Sequence, residues 1–360
     1  MRRELSGRRF FINFYGRRSL RIFPLYYFYL ALVAAAAGFA MLIGRVPPVL
    51  QQATGQLVYA LTFSYDFFHA SSGYSHSPLL THFWSLAVEE QFYLVWPLVV
   101  FCSPYSQLRR VLLVLIIAGP VIRLVEAGLM TGGLNHQLTR HVSLTVFVLP
   151  FSHIDAFAIG GYLALFGRTP SMRVVAGYSA LLIAAGMITE RLATASTIPL
   201  AFGYGSFMAD SWKSVWAYSA LNLLFGWILL MMRDRVFFPR VIENGAFTYL
   251  GKISYGLYVY HFAVLWLVSQ TARALFPGSP GIRGLLVIVG ALGLTIAISM
   301  ISYAIVEAPF LRLKDRFFAK RRVAAPMAGA SEASVGSFQA MTGWGGRNGH
   351  SQVTFSVARQ

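Results

Sequence analysis

The chain of 360 residues has a formal net charge of +17, yet only 12% of its residues are charged and 56% are hydrophobic. Soluble proteins carry about 25% charged residues, so this composition excludes an ordinary soluble globular protein. Cys102 is the only cysteine, which excludes a disulfide scaffold. The basic residues lie in short groups between long apolar stretches, a pattern that indicates membrane topology and not a nucleic-acid partner.

A helix needs about 20 apolar residues to cross the hydrocarbon core of a bilayer. Stretches near that length predict an all-α, polytopic membrane helix bundle with about eight transmembrane helices. Residues 1–322 are expected to form the membrane domain, and residues 323–360 a disordered cytoplasmic tail, because the tail is rich in Ala, Gly, Ser and Gln. The predicted spans are residues 22–43, 86–102, 111–128, 150–167, 174–188, 214–232, 253–269 and 284–306.

Lys and Arg gather in alternate loops, and the positive-inside rule then places both termini in the cytoplasm. We therefore expect a multi-pass protein of the cell inner (plasma) membrane. Residues 56–68 are apolar and aromatic, but a full crossing there would invert the charge bias of every later loop. This segment is predicted to be re-entrant or interfacial.

Ionisable groups at membrane depth are costly, so each is a candidate functional residue. The densest group, HFWSLAVEEQFY, begins at His82. His82 and Glu89 are seven residues apart and share one helical face, whereas Glu90 points about 100° away. These side chains suit a general base or a contact to an acceptor hydroxyl. Acids that stabilise the positive end of the helix dipole are an equally good interpretation.

Arg18 and Arg21 are three residues apart and lie among aromatic residues where the first apolar stretch begins. On a helix they face the same way, and two guanidinium groups there could bind phosphates through paired hydrogen bonds. A simple positive-inside anchor is the alternative.

Three further polar groups lie near the predicted spans. Asp155 opens the fourth span at its outer end. His261 lies about eight residues into the seventh span, with Ser254 on the same helical face, although a packing histidine is the alternative there. Glu307 ends the last span before a proline, where it could pair with the arginines or be solvated.

Five sequence motifs follow one another along the chain, at residues 13–27 (NFYGRRSLRIFPLYY), 82–97 (HFWSLAVEEQFYLVWP), 154–164 (IDAFAIGGYLA), 250–261 (LGKISYGLYVYH) and 303–310 (YAIVEAPF). In this order they resemble the integral-membrane acyltransferase family 3, which modifies O-antigens, peptidoglycan, Nod factors and macrolides. The resemblance covers about residues 8–318 and implies a bundle of about ten helices. It also implies transfer of an acyl group, usually acetyl from acetyl-CoA, to a hydroxyl of an extracytoplasmic or lipid-linked carbohydrate.

The resemblance assigns expected roles to residues of this chain. Arg18 and Arg21, with Glu307, are expected at the acyl-donor site. Acyl-CoA is expected as a co-substrate, with no bound cofactor and no metal. The expected partners are membrane lipid and a carbohydrate or lipid-linked glycan, with room for a separate periplasmic partner. The family's usual catalytic histidine has no counterpart here, so the candidate catalytic residues are those that remain near the membrane, His82, Glu89 and His261. The pocket residues are Trp84, Ser85, Glu90, Tyr93, Asp155, Ser254, Tyr255 and Tyr258.

The sequence departs from the family pattern at two places. Members usually open with two further spans that carry an arginine and the catalytic histidine, and this sequence shows neither. The last motif usually reads Glu-Arg-Pro or Glu-Lys-Pro, whereas here it is Glu307-Ala308-Pro309. The expected reaction is attack of a hydroxyl on a thioester, aided by a general base and oxyanion donors. An inactive N-terminally truncated fragment and a transporter of lipid or acylated sugar are the alternatives.

Overall fold

The computed structural model describes residues 7–71, 77–131, 140–194, 202–204 and 212–318. Within these ranges the chain forms helices and turns without a strand, as the predicted all-α class requires. The predicted tail, 323–360, lies outside them. The helices are α1 (Gly7–Leu42), α2 (Pro48–Leu61), α3 (Tyr65–Ser71), α4 (Phe83–Cys102), α5 (Tyr105–Thr131), α6 (Arg140–Val148), α7 (Ile154–Phe166), α8 (Met172–Thr194), α9 (Lys213–Arg233), α10 (Pro239–Ile242), α11 (Gly245–Leu275), α12 (Pro280–Ser302) and α13 (Ala308–Phe317).

The described part of the chain contains six helical segments long and apolar enough to cross a membrane, namely α1, α4, α5, α8, α9 and the joined α12 and α13. The pair α6 and α7, bent by 65°, would make a seventh. The remaining predicted span, 253–269, lies in α11, a helix of 31 residues that is not among these segments. The protein is thus a multi-pass helical membrane protein.

Helices α1 and α4 are antiparallel, and α4 begins halfway along α1. Tyr29, in the middle of α1, stacks on Phe83, the first residue of α4, with ring centroids 5.4 Å apart. At the other end, Phe10 stacks on Phe101 at 5.5 Å. Phe83 has no exposed surface, so the first turn of α4 lies inside the bundle and not at its rim.

The segment between α1 and α4 turns back inside the bundle. The last turn of α2 reaches the middle of α1, where the Tyr26 hydroxyl donates to the Ala60 carbonyl at 2.6 Å. Ser77 lies back at the first turn of α2, because its hydroxyl donates to the Val49 carbonyl at 3.3 Å. The described parts of this segment therefore lie alongside α2, with Ser77 near its start and the Ala60 carbonyl against the middle of α1. Whether residues 56–68 are re-entrant or interfacial stays a prediction.

The bend between α6 and α7 follows from Pro150, which lacks a backbone N–H and disfavours helix in the residue before it. A short 3₁₀ turn, Pro150–His153, joins the two helices. α7 then packs along α5 and α9. A break in a membrane helix leaves backbone groups that need partners inside the protein. Arg123 of α5 supplies one, since its Nη1 donates to the Ser152 carbonyl at 2.5 Å.

Replacing Gly119 by alanine should weaken the packing of α5 on α7. A Cβ at Gly119 would lie 2.5 Å from Cβ and Cγ of Asp155, whose carboxylate is held by Arg123 and cannot withdraw. We expect a loss of about 1–3 kcal/mol in the free energy of unfolding, measured as a lower Tm in detergent.

The matched control is Gly177→Ala in α8, where an added Cβ would meet no atom within 4 Å. Gly177→Ala should leave Tm near that of the wild-type protein. Equal Tm values for the two variants would contradict the tight contact between α5 and α7.

Candidate functional site

A cavity of about 310 Å³, here called the basic cavity, lies between the first half of α1 and α13. Its polar wall consists of Arg17, Arg18 and Arg21 from α1 and Lys314 from α13. Gly16 permits this arrangement, because a Cβ at that position would collide with the Phe318 ring just after α13. Four cationic side chains around one cavity form a site suited to a polyanion.

A second cavity of about 300 Å³, here called the polar cavity, lies next to the basic cavity and shares Arg18 and Arg21 with it. Seven side chains predicted as site residues therefore come together on one wall, although they belong to α1, α4 and α11. The polar cavity is lined by Arg18, Arg21, Ile22, Ser85, Leu86, Glu89, Ser254, Tyr255 and Tyr258.

Two hydroxyls on the wall of the polar cavity are coupled to each other. The Ser85 and Tyr258 hydroxyls share a hydrogen bond. Both also lie within reach of the His82 carbonyl oxygen, Ser85 at 3.1 Å and Tyr258 at 3.0 Å. Because the two hydroxyls have one hydrogen each for these three contacts, one of them donates to the His82 carbonyl while the other donates to its neighbouring hydroxyl.

The His82 side chain is only 3% exposed and has a defined tautomer. Its Nε2 lies 3.0 Å from the Val259 carbonyl oxygen, which can only accept, so Nε2 carries the hydrogen and Nδ1 is the acceptor. Nδ1 is buried and has no hydrogen-bond partner among the described residues. The His261 ring lies 5.0 Å away, and its Nδ1 donates to the Tyr258 carbonyl at 2.5 Å.

The two glutamates of α4 face different surroundings. Glu89 lines the polar cavity and accepts a hydrogen bond from Tyr93, whose ring lies 3.6 Å below the Arg18 guanidinium. The aromatic face of Tyr93 thus helps to orient Arg18. Glu90 does not line the polar cavity but lies within electrostatic range of Arg18, and its buried Oε1 has no hydrogen-bond partner among the described residues.

Glu307 ends a π-helical turn, Tyr303–Glu307, between α12 and α13. Its side chain is 5% exposed, and its Oε1 has no hydrogen-bond partner within the described residues. Arg21 lies within electrostatic range of it. Gly256 of α11 packs against this turn, since a Cβ there would lie 3.3 Å from Oε1. Glu307 thus lies behind the arginines and outside the wall of both cavities.

Two predicted pocket residues lie apart from the polar cavity. The Trp84 ring packs on Phe147 at 4.9 Å and on His153 at 6.1 Å, so it contacts the bend between α6 and α7. Asp155 is fully buried against Arg123, with an Nη2–Oδ2 distance of 2.9 Å. Asp155, expected as a pocket residue, thus forms a buried ion pair between α5 and α7.

Arg123 is the centre of a polar network that the sequence analysis did not assign to the site. Each of its five N–H donors forms a hydrogen bond to an oxygen atom. The sequence did contain an indication of this network, because Arg123 lies deep in an apolar stretch and a charged group there needs a partner. The acceptors are the carbonyls of Val215 and Ser152, both carboxylate oxygens of Asp155 and the Ser219 hydroxyl.

Together, the spans and the two adjoining cavities define a multi-pass membrane protein with a buried polar site at the first turn of α4. Over residues 4–304 the sequence matches the family model described as an acyltransferase domain. The chain therefore belongs to acyltransferase family 3. No curated protein and no solved structure matches the chain.

Removing one partner of the Arg123–Asp155 pair should strongly destabilise the bundle. Asp155→Ala leaves a buried guanidinium without its counter-ion, and we expect a loss of about 3–5 kcal/mol, measured by thermal unfolding in detergent. The double substitution of Arg123→Met with Asp155→Leu should recover part of this loss, because no charge is then buried.

The matched control is the exposed pair of Arg233 and Asp234, whose side chains are 52% and 38% exposed. Asp234→Ala should change Tm little, because solvent screens this pair. A small effect of Asp155→Ala, comparable with that of Asp234→Ala, would contradict the role assigned to the buried pair.

Proposed function

We propose that this protein transfers an acyl group, most simply acetyl from acetyl-CoA, to a hydroxyl of an extracytoplasmic or lipid-linked carbohydrate. The observation that carries the proposal is that Arg18 and Arg21 line both the basic cavity and the polar cavity. A donor with a polyanionic end and a reactive thioester end needs two such compartments next to each other.

The basic cavity suits the phosphate groups of CoA. Arginine binds phosphate through two parallel N–H donors, and lysine acts as a point charge. Lys314 supplies a cation from α13, although the family's usual basic residue after Glu307 is Ala308 here. Since CoA is a cytoplasmic donor, the proposal places this end of α1 on the cytoplasmic side, in keeping with the positive-inside pattern.

The polar cavity suits the thioester. In the proposed step the acceptor hydroxyl oxygen attacks the thioester carbonyl carbon, the new C–O ester bond forms, and the C–S bond breaks. The hydroxyl proton passes to a base and then to the departing CoA thiolate. Ser85 and Tyr258 hold two O–H donors at this wall, and either can turn from the His82 carbonyl to stabilise the oxyanion.

His82 is the base that the geometry favours among the candidates in this chain. Its Nδ1 is an acceptor without a partner among the described residues, and burial keeps the imidazole neutral, so the Nδ1 lone pair is not already occupied by a proton. The Glu89 carboxylate is engaged by Tyr93, and the His261 Nδ1 by the Tyr258 carbonyl.

Lys314→Gln should weaken binding of acetyl-CoA about tenfold, as expected for the loss of one charge-assisted contact. Binding would be measured with radiolabelled acetyl-CoA on the purified protein in nanodiscs. Lys314→Arg should retain binding. Arg312→Gln, on the exposed face of the same helix, is the matched control and should bind like the wild type. If Arg312→Gln weakened binding as much as Lys314→Gln, general surface charge and not the basic cavity would attract the donor.

His82→Gln should abolish transfer while leaving donor binding intact. A glutamine can still donate to the Val259 carbonyl but cannot accept a proton, so we expect the rate of label transfer from acetyl-CoA to membrane glycan to fall about 10²–10⁴-fold. The rate would be followed in membranes that contain the protein, beside binding and Tm measurements. Undiminished transfer by His82→Gln would remove His82 as the base.

A further inference from the structure

The polar cavity has an apolar side that the reaction has not yet used. Among the described residues on its wall, Ile22 and Leu86 are the two aliphatic side chains, and all the others are charged or carry a hydroxyl. Ile22 is 6% and Leu86 5% exposed, so both are packed into the protein. The Tyr255 hydroxyl donates to the Ile22 carbonyl at 3.1 Å, which fixes α11 against α1 beside this apolar side.

Leu86 lies next to the group that would hold the reacting carbonyl. It directly follows Ser85, one of the two O–H donors at the first turn of α4, and consecutive Cα atoms are about 3.8 Å apart. Both side chains line the same cavity. An acyl group whose carbonyl oxygen is held by the Ser85 hydroxyl therefore has the Leu86 side chain beside it.

The chemistry of the remaining wall directs the acyl carbons toward Leu86 and Ile22. Methylene groups placed against Arg18, Arg21 or Glu89 would remove water from charged groups without replacing its hydrogen bonds, which is unfavourable. Methylene groups placed against aliphatic side chains gain the free energy of apolar burial. The acyl chain of a bound donor is thus expected to point at the apolar side.

There is little room on that side for a long chain. The cavity holds about 300 Å³, at the lower end of the range of roughly 300–1,000 Å³ for ligand pockets, and it must also admit the thioester end of the donor. Leu86 belongs to a buried hydrophobic cluster with Tyr26, Phe83 and Val259. Such interiors are close-packed, so Leu86 cannot withdraw to admit further carbons without overpacking the cluster.

We propose that Leu86, together with Ile22, is the specificity-determining element that restricts the donor to acetyl-CoA and excludes acyl groups of four or more carbons. The inference rests on the proposed function and adds to it the residues that decide the length of the acyl group. The two side chains act by steric exclusion and take no part in the proton transfer.

The test compares two donors in membranes that contain the full-length protein. Transfer of label to membrane glycan is measured with acetyl-CoA and with butyryl-CoA, each labelled in the acyl group. Leu86→Ala removes three carbons from the apolar side, and we expect the ratio of butyryl to acetyl transfer to rise about 10–200-fold over that of the wild type. The ratio is independent of the amount of folded protein, because both rates come from the same membranes.

Leu98→Ala is the matched control, since it removes the same atoms from a 48% exposed position of the same helix and should keep the wild-type ratio. Leu86→Val, which removes one carbon, replaces Leu86→Ala if the latter does not fold, and should raise the ratio of propionyl to acetyl transfer.

An unchanged ratio in a folded Leu86 variant would overturn the inference. So would a wild-type protein that uses butyryl-CoA or succinyl-CoA as fast as acetyl-CoA, because both acyl chains have four carbons. In these cases acetyl transfer by the wild type still stands. A wild-type protein that transfers none of these acyl groups contradicts the proposed function itself, and the inference falls with it.

Discussion

The hydrogen bonds of Arg123 meet the strictest demand that a bilayer makes on a protein, which is that buried polar groups find partners inside the structure. This one side chain joins α5, the 3₁₀ turn, α7 and α9. The bend at Pro150 would otherwise leave the Ser152 carbonyl without a donor in a region that excludes water. The ion pair with Asp155 therefore makes a broken helix compatible with the membrane, and the packing of α7 on α5 depends on it.

The same requirement organises the other irregular segment. The end of α2 and the start of α4 both lie against the middle of α1. There the Tyr26 hydroxyl donates to the Ala60 carbonyl, and the Tyr29 hydroxyl donates to the Leu79 carbonyl. Gln91 of α4 makes a similar contact between α2 and α3, since its Nε2 donates to the Phe63 carbonyl at 2.8 Å. The carbonyls of Ala60, Phe63 and Leu79 thus find donors inside the protein.

Composition and hydropathy were sufficient to predict the helical class and the multi-pass membrane character, and the ordered motifs were sufficient for the family. The motifs also predicted site residues that lie on one cavity, because Ser85 and Glu89, and likewise Ser254 and Tyr258, share helical faces. The sequence did not reveal the partner of Asp155, which lies 32 residues away on α5. Nor did it predict that Lys314 reaches the arginines of α1. Such pairings depend on how helices pack and leave no trace in local periodicity.

The start of α4 beside α1 also fixes a spacing within the site. Arg18, which lines both cavities, lies on the same helix as Tyr29, which stacks on the first residue of α4. At 1.5 Å per residue, these two positions are about 16 Å apart along the axis of α1. Because one continuous helix carries both, the distance between the arginines and the first turn of α4 is set by backbone hydrogen bonds and not by a loop.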